Sequence, residues 1–293
     1  MLPLETVPNF SEGRDRATIA AIGEALSGRA RLLDVHSDPD HNRSVFTLVG
    51  EADNLVESLL AGIAAARDRI DLRDHEGAHP RIGAADVVPV VALSPEHMER
   101  ARIAASTLAR RVGEELDLPV FVYGELGSGR GPSFFRAGGT AELARRLSAG
   151  ELRPDFGPDA LHPSAGGVII GARKPLIAIN VDLRAGSVAD AREIAAVVRE
   201  RDGGFPGVRA LGLELSGAGR VQVSMNVEDW EASALHEILA RIHAEAASRD
   251  VEVAGCELVG LMPAGAAAAA AGAMLRIDGF DASRLIETRL LED

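Results

Sequence analysis

Residues 175–198 read PLIAINVDLRAGSVADAREIAAVV, and this stretch decides the fold of the second half of the chain. Pro175 to Leu183 is an apolar segment of strand length. Ser187, followed three residues later by Asp190, has the spacing of a capping box and predicts the start of a helix. A strand that leads directly into an amphipathic helix is typical of a mixed α and β domain.

The remainder of the second half extends this pattern. It predicts a strand at 208–215, a Gly-rich turn at Ser216 to Gly219, an alternating strand at 221–227, a helix at 235–246 and a strand at 251–259. The order strand, helix, strand, strand, helix, strand is ferredoxin-like.

The first half predicts a longer version of the same order. Its elements are a strand near Thr6, a helix at 17–26, strands at 32–36 and 44–49, a helix capped by Asp53, a strand at 87–93, a helix from Ser94–Pro95 to Leu116 and a strand at 120–123. We therefore expect an α+β protein of two ferredoxin-like (βαββαβ) subdomains, 1–172 and 173–293, with a ligand crevice between them. The Gly-, Pro- and Ser-rich residues 124–174, which include a short helical segment at 141–147, are expected to be a linker or to line that crevice.

Composition narrows the classes of function. The 293 residues carry a formal net charge of −13, which argues against a nucleic-acid or anionic-membrane surface. Cys256 is the only cysteine, so an internal disulfide and a Cys-rich zinc site are excluded. No apolar run approaches the roughly 18 residues of a membrane span, and the N-terminus lacks a signal-peptide pattern. A cytoplasmic protein is expected; the alanine-rich residues 264–273 predict a small-residue helix or packed loop.

Histidines dominate two polar segments, HSDPDHNR at 36–43 and HEGAHPRIGAAD at 75–86. Histidine suits proton transfer near neutral pH. Pro80 biases His79 away from helix, and Gly77 and Gly83 flank it, so His79 is expected on a rigid turn facing a cavity. The alternative from spacing alone is a set of surface loop residues.

A metal site is the rival chemical interpretation. Its possible ligands are His36, Asp38, Asp40, His41, His75 and His79. His75 and His79 have i, i+4 spacing, but Gly77 and Pro80 disfavour the helix that would align them. The aspartates are more simply explained as turn residues, and no metal is predicted.

Other polar residues are candidates for substrate binding. Arg173 and Lys174, the latter the only lysine, could meet a carboxylate or form a solvated pair at a strand start. Asn180 and Asn226 could bind a heterocycle or lie on an exposed sheet face. The glycines of GGVIIGARK at 166–174 match no nucleotide-binding motif.

Seven segments taken together resemble one known family. They are TVPNFSEGRD (6–15), LLDVHSDPDHNRSVFTLVG (32–50), IDLRDHEGAHPRIGAADVVPVVAL (70–93), PVFVYGE (119–125), PDFGPDALHPSAGG (154–167), GARKPLIAINVDL (171–183) and QVSMNVED (222–229). In this order, over nearly the whole chain, they resemble the glutamate formimidoyltransferases. Animal members of the family continue into a cyclodeaminase domain, which lies beyond the seven matching segments. The resemblance therefore implies only the transferase function.

The resemblance implies a function and a site. It implies transfer of a formimino group between N-formimidoyl-L-glutamate and tetrahydrofolate, a co-substrate held between two subdomains, in a homodimer. His79 of the G-x-H-P-R motif corresponds to the catalytic residue. The folate-contacting segment corresponds to Gly157, Pro158, Asp159, Ala160, Leu161, His162, Pro163, Ser164, Ala165 and Gly166.

The substrates suggest further candidates. Both carry carboxylates, so Arg43, Arg81, Arg173 and Lys174 are candidates to bind them. Asn9 and Asn42 join Asn180 and Asn226 as other candidates, and no carboxylate partner of His79 is assigned. The alternatives are a folate-binding protein without turnover and a metal-dependent formiminoglutamate hydrolase.

Overall fold

Residues 2–127, 129–215 and 220–290 are described by a computed structural model of the protein. The chain divides into two units, unit 1 (Met1–Lys174) and unit 2 (Pro175–Asp293). Each unit combines helices with its own β-sheet, so the protein is α+β. No helix of the described residues is long and apolar enough to cross a membrane.

Unit 1 is built on a seven-stranded sheet. Its elements are β1 (Leu4–Thr6), β2 (Asn9–Phe10), α1 (Arg16–Leu26), β3 (Arg31–Asp38), β4 (Arg43–Gly50), α2 (Ala52–Arg69), β5 (Ala85–Val91), α3 (Met98–Glu115), β6 (Val120–Gly124), α4 (Pro132–Arg136), α5 (Gly139–Ser148) and β7 (Val168–Arg173). In the first part of the sheet β3 pairs with β4, and the short strands β1 and β2 both lie between β4 and β5. All of these pairs are antiparallel. Beyond β5, β7 and then β6 continue the sheet in parallel.

Both faces of the parallel part of this sheet are buried, because alternate side chains of a strand point to opposite faces. Val168 and Ile170 of β7 join the main core with α2 and α3, whereas Ile169 lies in a second cluster. That second cluster includes Phe135 of α4 and Leu143 of α5. Helices α4 and α5 therefore cover the face of the sheet opposite α2 and α3.

Unit 2 has a four-stranded sheet. Its elements are β8 (Ile177–Arg184), α6 (Val188–Val198), β9 (Val208–Leu215), β10 (Arg220–Val227), α7 (Leu235–Ala247), β11 (Glu252–Val259), α8 (Ala264–Leu275) and α9 (Ile286–Leu290). The strand order is β11, β8, β10, β9, and every neighbouring pair is antiparallel. The predicted capping box of Ser187 and Asp190 is present at the start of α6. The predicted turn at Ser216 to Gly219 lies outside the described residues.

Several sequence predictions differ from the structure. The helix predicted from Ser94–Pro95 starts with a 3-10 turn at Pro95–His97, and α3 itself begins at Met98. Helix α2 begins at Ala52 with Glu51 as its N-cap, so Asp53 lies in the first turn and is not the cap. The strand near Thr6 is two short strands, β1 and β2. The segment 124–174 is not a plain linker, because it includes β7.

Strand β7 was missed because its glycines favoured a turn. The structure instead requires a glycine within the strand: a Cβ at Gly171 would lie 2.4 Å from the Tyr123 carbonyl oxygen. Here the glycine permits close approach of a neighbouring strand. The helical segment predicted at 141–147 is part of α5, and the alanine-rich residues form α8.

Candidate active site

His79 lies in the irregular segment that joins α2 to β5 in unit 1, and its side chain is half-buried. Two glycines hold this segment close to its neighbours. A Cβ at Gly77 would lie 2.4 Å from the His41 carbonyl oxygen, and one at Gly83 would lie 1.8 Å from the Gly167 carbonyl oxygen. The backbone on either side of His79 is thus fixed by close contacts that only glycine allows.

The hydrogen bonds of His79 define which ring nitrogen acts as a base. Nδ1 lies 2.8 Å from the Pro80 carbonyl oxygen and 3.4 Å from Nη1 of Arg43. A carbonyl oxygen only accepts, so the shorter contact assigns the proton to Nδ1 and leaves a lone pair on Nε2. Burial, then the charges of Arg43 and Arg136, lower the pKa of His79 well below its ordinary 6.5, against the opposing charge of Asp86. His79 is therefore neutral at pH 7, as a general base must be.

Asp86 supplies the buried carboxylate near His79. It is fully buried, and its Oδ2 accepts hydrogen bonds from Nη1 of Arg43 at 2.8 Å and Nη2 of Arg136 at 2.6 Å. Its Oδ1 accepts from the Ile82 N–H at 2.8 Å. Burial alone would raise the pKa of Asp86, but Arg136, Arg43 and the Ile82 N–H lower it below the ordinary value. Asp86 stays ionised.

A β-bulge aims this carboxylate. Asn9 pairs with Val87 and Phe10 pairs with Ala85, so Asp86 is the extra residue of β5 opposite β2. Bulges redirect side chains in this way and are common beside active sites. Sequence reasoning did not select Asp86 or Arg136. The available signal for Asp86 was a single charge inside the apolar run 82–91, because a buried charge needs a partner; no sequence signal marked Arg136.

Two predicted candidates, Asn9 and Asn42, lie in this region. The side-chain oxygen of Asn9 accepts from Nε of Arg43 at 2.9 Å, so Asn9 helps to orient that guanidinium. Asn42 has a positive φ of 46°, a conformation that Asn tolerates better than most residues. Its side chain joins the Gly13 N–H, at 2.9 Å, to the Glu76 carbonyl oxygen, also at 2.9 Å. Asn42 therefore braces the loop that carries His79.

The predicted carboxylate-binding residues separate into three positions. Arg43 lies beside His79 and Asp86, and burial lowers the pKa of Arg43 to about 10 despite the opposing Asp86 charge. The guanidinium of Arg81 donates to three backbone carbonyl oxygens, those of His41, Asn42 and His79, at 2.8 to 3.1 Å. Arg81 therefore holds the two histidine-containing segments together.

Arg173 and Lys174 lie at the other end of the sheet. Arg173 pairs with Val91, at the end of β5 opposite Asp86, and the five steps along the strand from Asp86 to Val91 correspond to roughly 16 Å. Nη1 of Arg173 donates to the Lys174 carbonyl oxygen at 2.8 Å, and Lys174 is exposed. Within unit 1 the structure does not bring these two residues to His79.

The segment Gly157 to Gly166 packs against both ends of the His79 segment. The Leu72 N–H donates to the Ser164 carbonyl oxygen, and the Ala84 N–H to that of Ala165, both at 2.8 Å. Gly166 has a φ of +70°, and a Cβ there would lie 2.0 Å from the Ile82 carbonyl oxygen. Ala165 is buried. The predicted folate segment and the predicted catalytic residue are thus neighbours within unit 1.

A cavity of about 410 Å³ adjoins His79. Its walls are formed by the loop residues Leu72, His75, Glu76, Gly77, Pro80 and Arg81, with Gly139 and Thr140 at the start of α5. The expectation that His79 faces a cavity is met by this arrangement. The cavity has the size of a small-molecule site.

Asn180 and Asn226 belong to unit 2. Asn180 of β8 is buried and donates to Oε2 of Glu257 at 3.2 Å. Asn226 of β10 is exposed and pairs with Ala178. Asn180 is therefore engaged within the unit 2 sheet, and Asn226 lies at its surface.

The rival metal site finds no support in the described residues. Over 2–127, 129–215 and 220–290, no three His, Cys, Asp or Glu side chains come together as ligands for a metal ion. His41 approaches Asp38 at 4.0 Å, and the His41 and His79 ring centroids are 6.2 Å apart.

Comparison with known proteins identifies the family of this fold and site. The N-terminal subdomain of the formiminotransferase domain matches residues 3–173, and the formiminotransferase domain matches residues 178–281. The chain is 38% identical to a glutamate formimidoyltransferase of Thermoplasma acidophilum, over 98% of this chain and 97% of that protein.

Two further relatives give the same result. A glutamate formimidoyltransferase of Streptococcus pyogenes is 35% identical over 98% of each chain. A formimidoyltransferase-cyclodeaminase of Rattus norvegicus is 39% identical, over 89% of this chain and 50% of that protein. The chain therefore belongs to the formiminotransferase domain family.

Proposed function

We propose that the protein is a glutamate formimidoyltransferase, an enzyme that transfers a formimino group between N-formimidoyl-L-glutamate and tetrahydrofolate. The observation that carries the proposal is the neutral His79, with a basic Nε2, beside a cavity of unit 1. Similarity to curated glutamate formimidoyltransferases over nearly the full length supports the choice of reaction.

His79 moves one proton twice in the proposed mechanism. The N5 nitrogen of tetrahydrofolate attacks the carbon of the protonated formimino group, and Nε2 takes the proton that N5 loses. The resulting imidazolium returns this proton to the glutamate nitrogen, whose bond to the same carbon then breaks. Such proton transfer accelerates a reaction by about 100- to 10,000-fold.

Asp86 and Arg43 position the base in this scheme. Arg43 binds Asp86 and lies against the protonated side of the imidazole. The positive guanidinium opposes early protonation of His79, and the nearby carboxylate stabilises the imidazolium once it forms. Together they hold His79 basic enough to accept a proton and acidic enough to release it.

Several further assignments belong to the same proposal. Tetrahydrofolate is the co-substrate, and the segment 157–166 contacts it. The domains are 1–172 and 173–293, each ferredoxin-like; the antiparallel strand orders of β5 to β3 and of β11 to β9 support this topology. The crevice between the subdomains, the homodimer and the cytoplasmic location are likewise proposed from the family resemblance.

Two incubations test the function. Purified protein with N-formimidoyl-L-glutamate and tetrahydrofolate should release glutamate and form 5-formiminotetrahydrofolate, and without folate it should do neither. Folate binding without glutamate release would instead indicate a binding protein. Glutamate release without folate, abolished by a metal chelator, would indicate a metal-dependent hydrolase. We expect transfer to withstand the chelator, because the imidazole supplies both proton transfers.

A further inference from the structure

The cluster around Asp86 contains more positive than negative charge. Two guanidinium groups, those of Arg43 and Arg136, share the single oxygen Oδ2 of Asp86. All three side chains are shielded from solvent, with exposed fractions of 9% for Arg43, 14% for Arg136 and 0% for Asp86. His79 is neutral, so the cluster retains one excess positive charge. Unbalanced charge away from water is costly, and an anionic ligand would offset it.

Among the arginines of this cluster, Arg136 is the one with a buried donor that stays unused in the described part of the chain. Arg81 is committed to backbone carbonyl oxygens, and Arg43 donates through Nε to Asn9 and through Nη1 to Asp86. Arg136 donates through Nη2 to Asp86. Its Nε is buried and has no hydrogen-bond partner in the part of the chain that the structure describes. A buried donor without a partner points to a ligand that supplies an acceptor.

Arg136 also lies close to the site of chemistry. Its charge is among those that lower the pKa of His79. It ends α4, and three residues later Gly139 and Thr140 form part of the wall of the cavity that His79 lines. An anion bound to Arg136 would therefore lie near the base.

We propose that Arg136 binds the α-carboxylate of the glutamyl substrate, an inference that rests on the proposed transferase function. The α-carboxylate is attached to the carbon that bears the reacting nitrogen, so it must lie within a few bonds of the atom that exchanges a proton with His79. The tail carboxylates of folate are separated from N5 by the p-aminobenzoyl group and lie farther away. The positive guanidinium of Arg136 thus selects substrates that carry a negative α-carboxylate.

The test compares two substrates that differ in one group, N-formimidoyl-L-glutamate and its α-amide. For the wild-type enzyme the carboxylate should be strongly preferred. In Arg136→Gln the KM for N-formimidoyl-L-glutamate should rise about 10- to 100-fold, the value of a charge-assisted hydrogen bond. The KM for the α-amide and for tetrahydrofolate should change little, so the preference collapses.

Arg145→Gln is the matched control, because Arg145 lies in the following helix, is exposed and pairs with Glu142 and Glu151 at the surface. It should keep the wild-type preference. If Arg136 merely clamps α4 to Asp86, Arg136→Gln will lower kcat equally for both substrates and leave the preference intact, which overturns the proposal. A rise confined to the KM for tetrahydrofolate would assign Arg136 to the folate tail and also overturn it.

Two additions keep the test decisive. Arg136→Lys retains the charge but loses the planar guanidinium. It should fold and should lose part of the preference for the α-carboxylate over the α-amide, but less than Arg136→Gln loses. An unchanged preference in a folded Lys variant contradicts the inference. Calorimetric titration of N-formimidoyl-L-glutamate without folate gives Kd without turnover, and Arg136→Gln should weaken it to the same extent as KM. If the wild-type protein binds N-formimidoyl-L-glutamate but transfers nothing, the proposed function is refuted and the carboxylate site at Arg136 is retained. If transfer occurs but Arg136→Gln has the wild-type Kd, the carboxylate site is refuted and the proposed function is retained.

Discussion

At the scale of the residue, the proposed chemistry depends on side chains drawn from four parts of unit 1. His79 comes from the loop before β5, Asp86 from a bulge in β5, Arg43 from the start of β4 and Arg136 from the end of α4. Burial, together with the charges of Arg43, Arg136 and Asp86, sets the protonation state of His79. Replacing each of these residues is expected to change a different measured quantity, such as kcat, KM or the free energy of unfolding.

His79→Ala should lower kcat by about 100- to 10,000-fold, because the proton relay is lost. Binding of both substrates should change little. Steady-state kinetics and calorimetry measure the two effects. His243→Ala, on the exposed side of α7 in unit 2, is the control and should retain wild-type kcat. Near-normal turnover in His79→Ala would refute the role given to this residue.

The pH profile should report the depressed pKa of His79. Its folded pKa lies well below the unfolded value of 6.5, so kcat/KM should stay constant as the pH falls through 6.5 and decline only at lower pH. The unfolded state binds a proton before the folded state does. The related stability is thus fully present above 6.5 and is lost as the pH falls from 6.5 toward the folded pKa. An acid limb centred at or above 6.5 would contradict this assignment.

Asp86→Ala should lower the free energy of unfolding by about 3–5 kcal/mol, because two buried guanidinium groups lose their shared partner. Chemical denaturation measures the change. Asp53→Ala is the control, since this exposed residue of the first turn of α2 should contribute only about 0.3–1 kcal/mol. If Asp86→Ala does not fold, Asp86→Asn, which keeps the shape, should still be clearly less stable than wild type. Equal stability of the Asp86 and Asp53 variants would show that the charge cluster is not structural.

At the scale of the element, the segment 157–166 depends on glycine conformation and on close approach to the His79 loop. Gly166→Ala meets both obstacles, a φ of +70° and a Cβ position 2.0 Å from the Ile82 carbonyl oxygen. The left-handed conformation costs about 1–2 kcal/mol, and the collision should add ~1–3 kcal/mol. The segment should also shift, so tetrahydrofolate should bind more weakly.

Gly150→Ala separates the two causes. Gly150, after α5, has a similar φ of +71° but nothing within 4 Å of the added Cβ. It should lose only the conformational part of the stability and keep wild-type folate affinity. Thermal unfolding and folate titration of both variants provide the comparison. Equal losses in the two variants would show that the contact with Ile82 is unimportant.

At the scale of the whole molecule, each unit has its own hydrophobic core. The main core of unit 1 includes Phe46 and Leu108, and that of unit 2 includes Ile194 and Ile238. The units are long enough to fold as separate domains. We expect the fragments 1–174 and 175–293, produced separately, each to show helical circular dichroism and a cooperative thermal transition. A fragment without such a transition would show that its core depends on the other unit.

The sequence by itself determined the four strands of unit 2 with helices α6 and α7, the loop around His79 and the family. The alternation in β10 and the capping box of α6 are local patterns, because side-chain period and capping depend on residues only a few positions apart. The family resemblance also predicted roles for His79 and the segment 157–166 from local patterns, because each lies in a short motif of neighbouring residues.

Only the tertiary structure decided which distant residues meet. Asp86 and Arg136 are 50 residues apart, and their contact requires α4 to cover the sheet that contains β5. The glycines of β7 predicted a loop. In the sheet β7 lies between β5 and β6, and Gly171 is needed there because β6 approaches closely. Arg43 and Arg173, equal candidates by composition, lie at opposite ends of one sheet. Strand order and direction set these distances, and they follow from the packing of the whole unit, which no short stretch of sequence encodes.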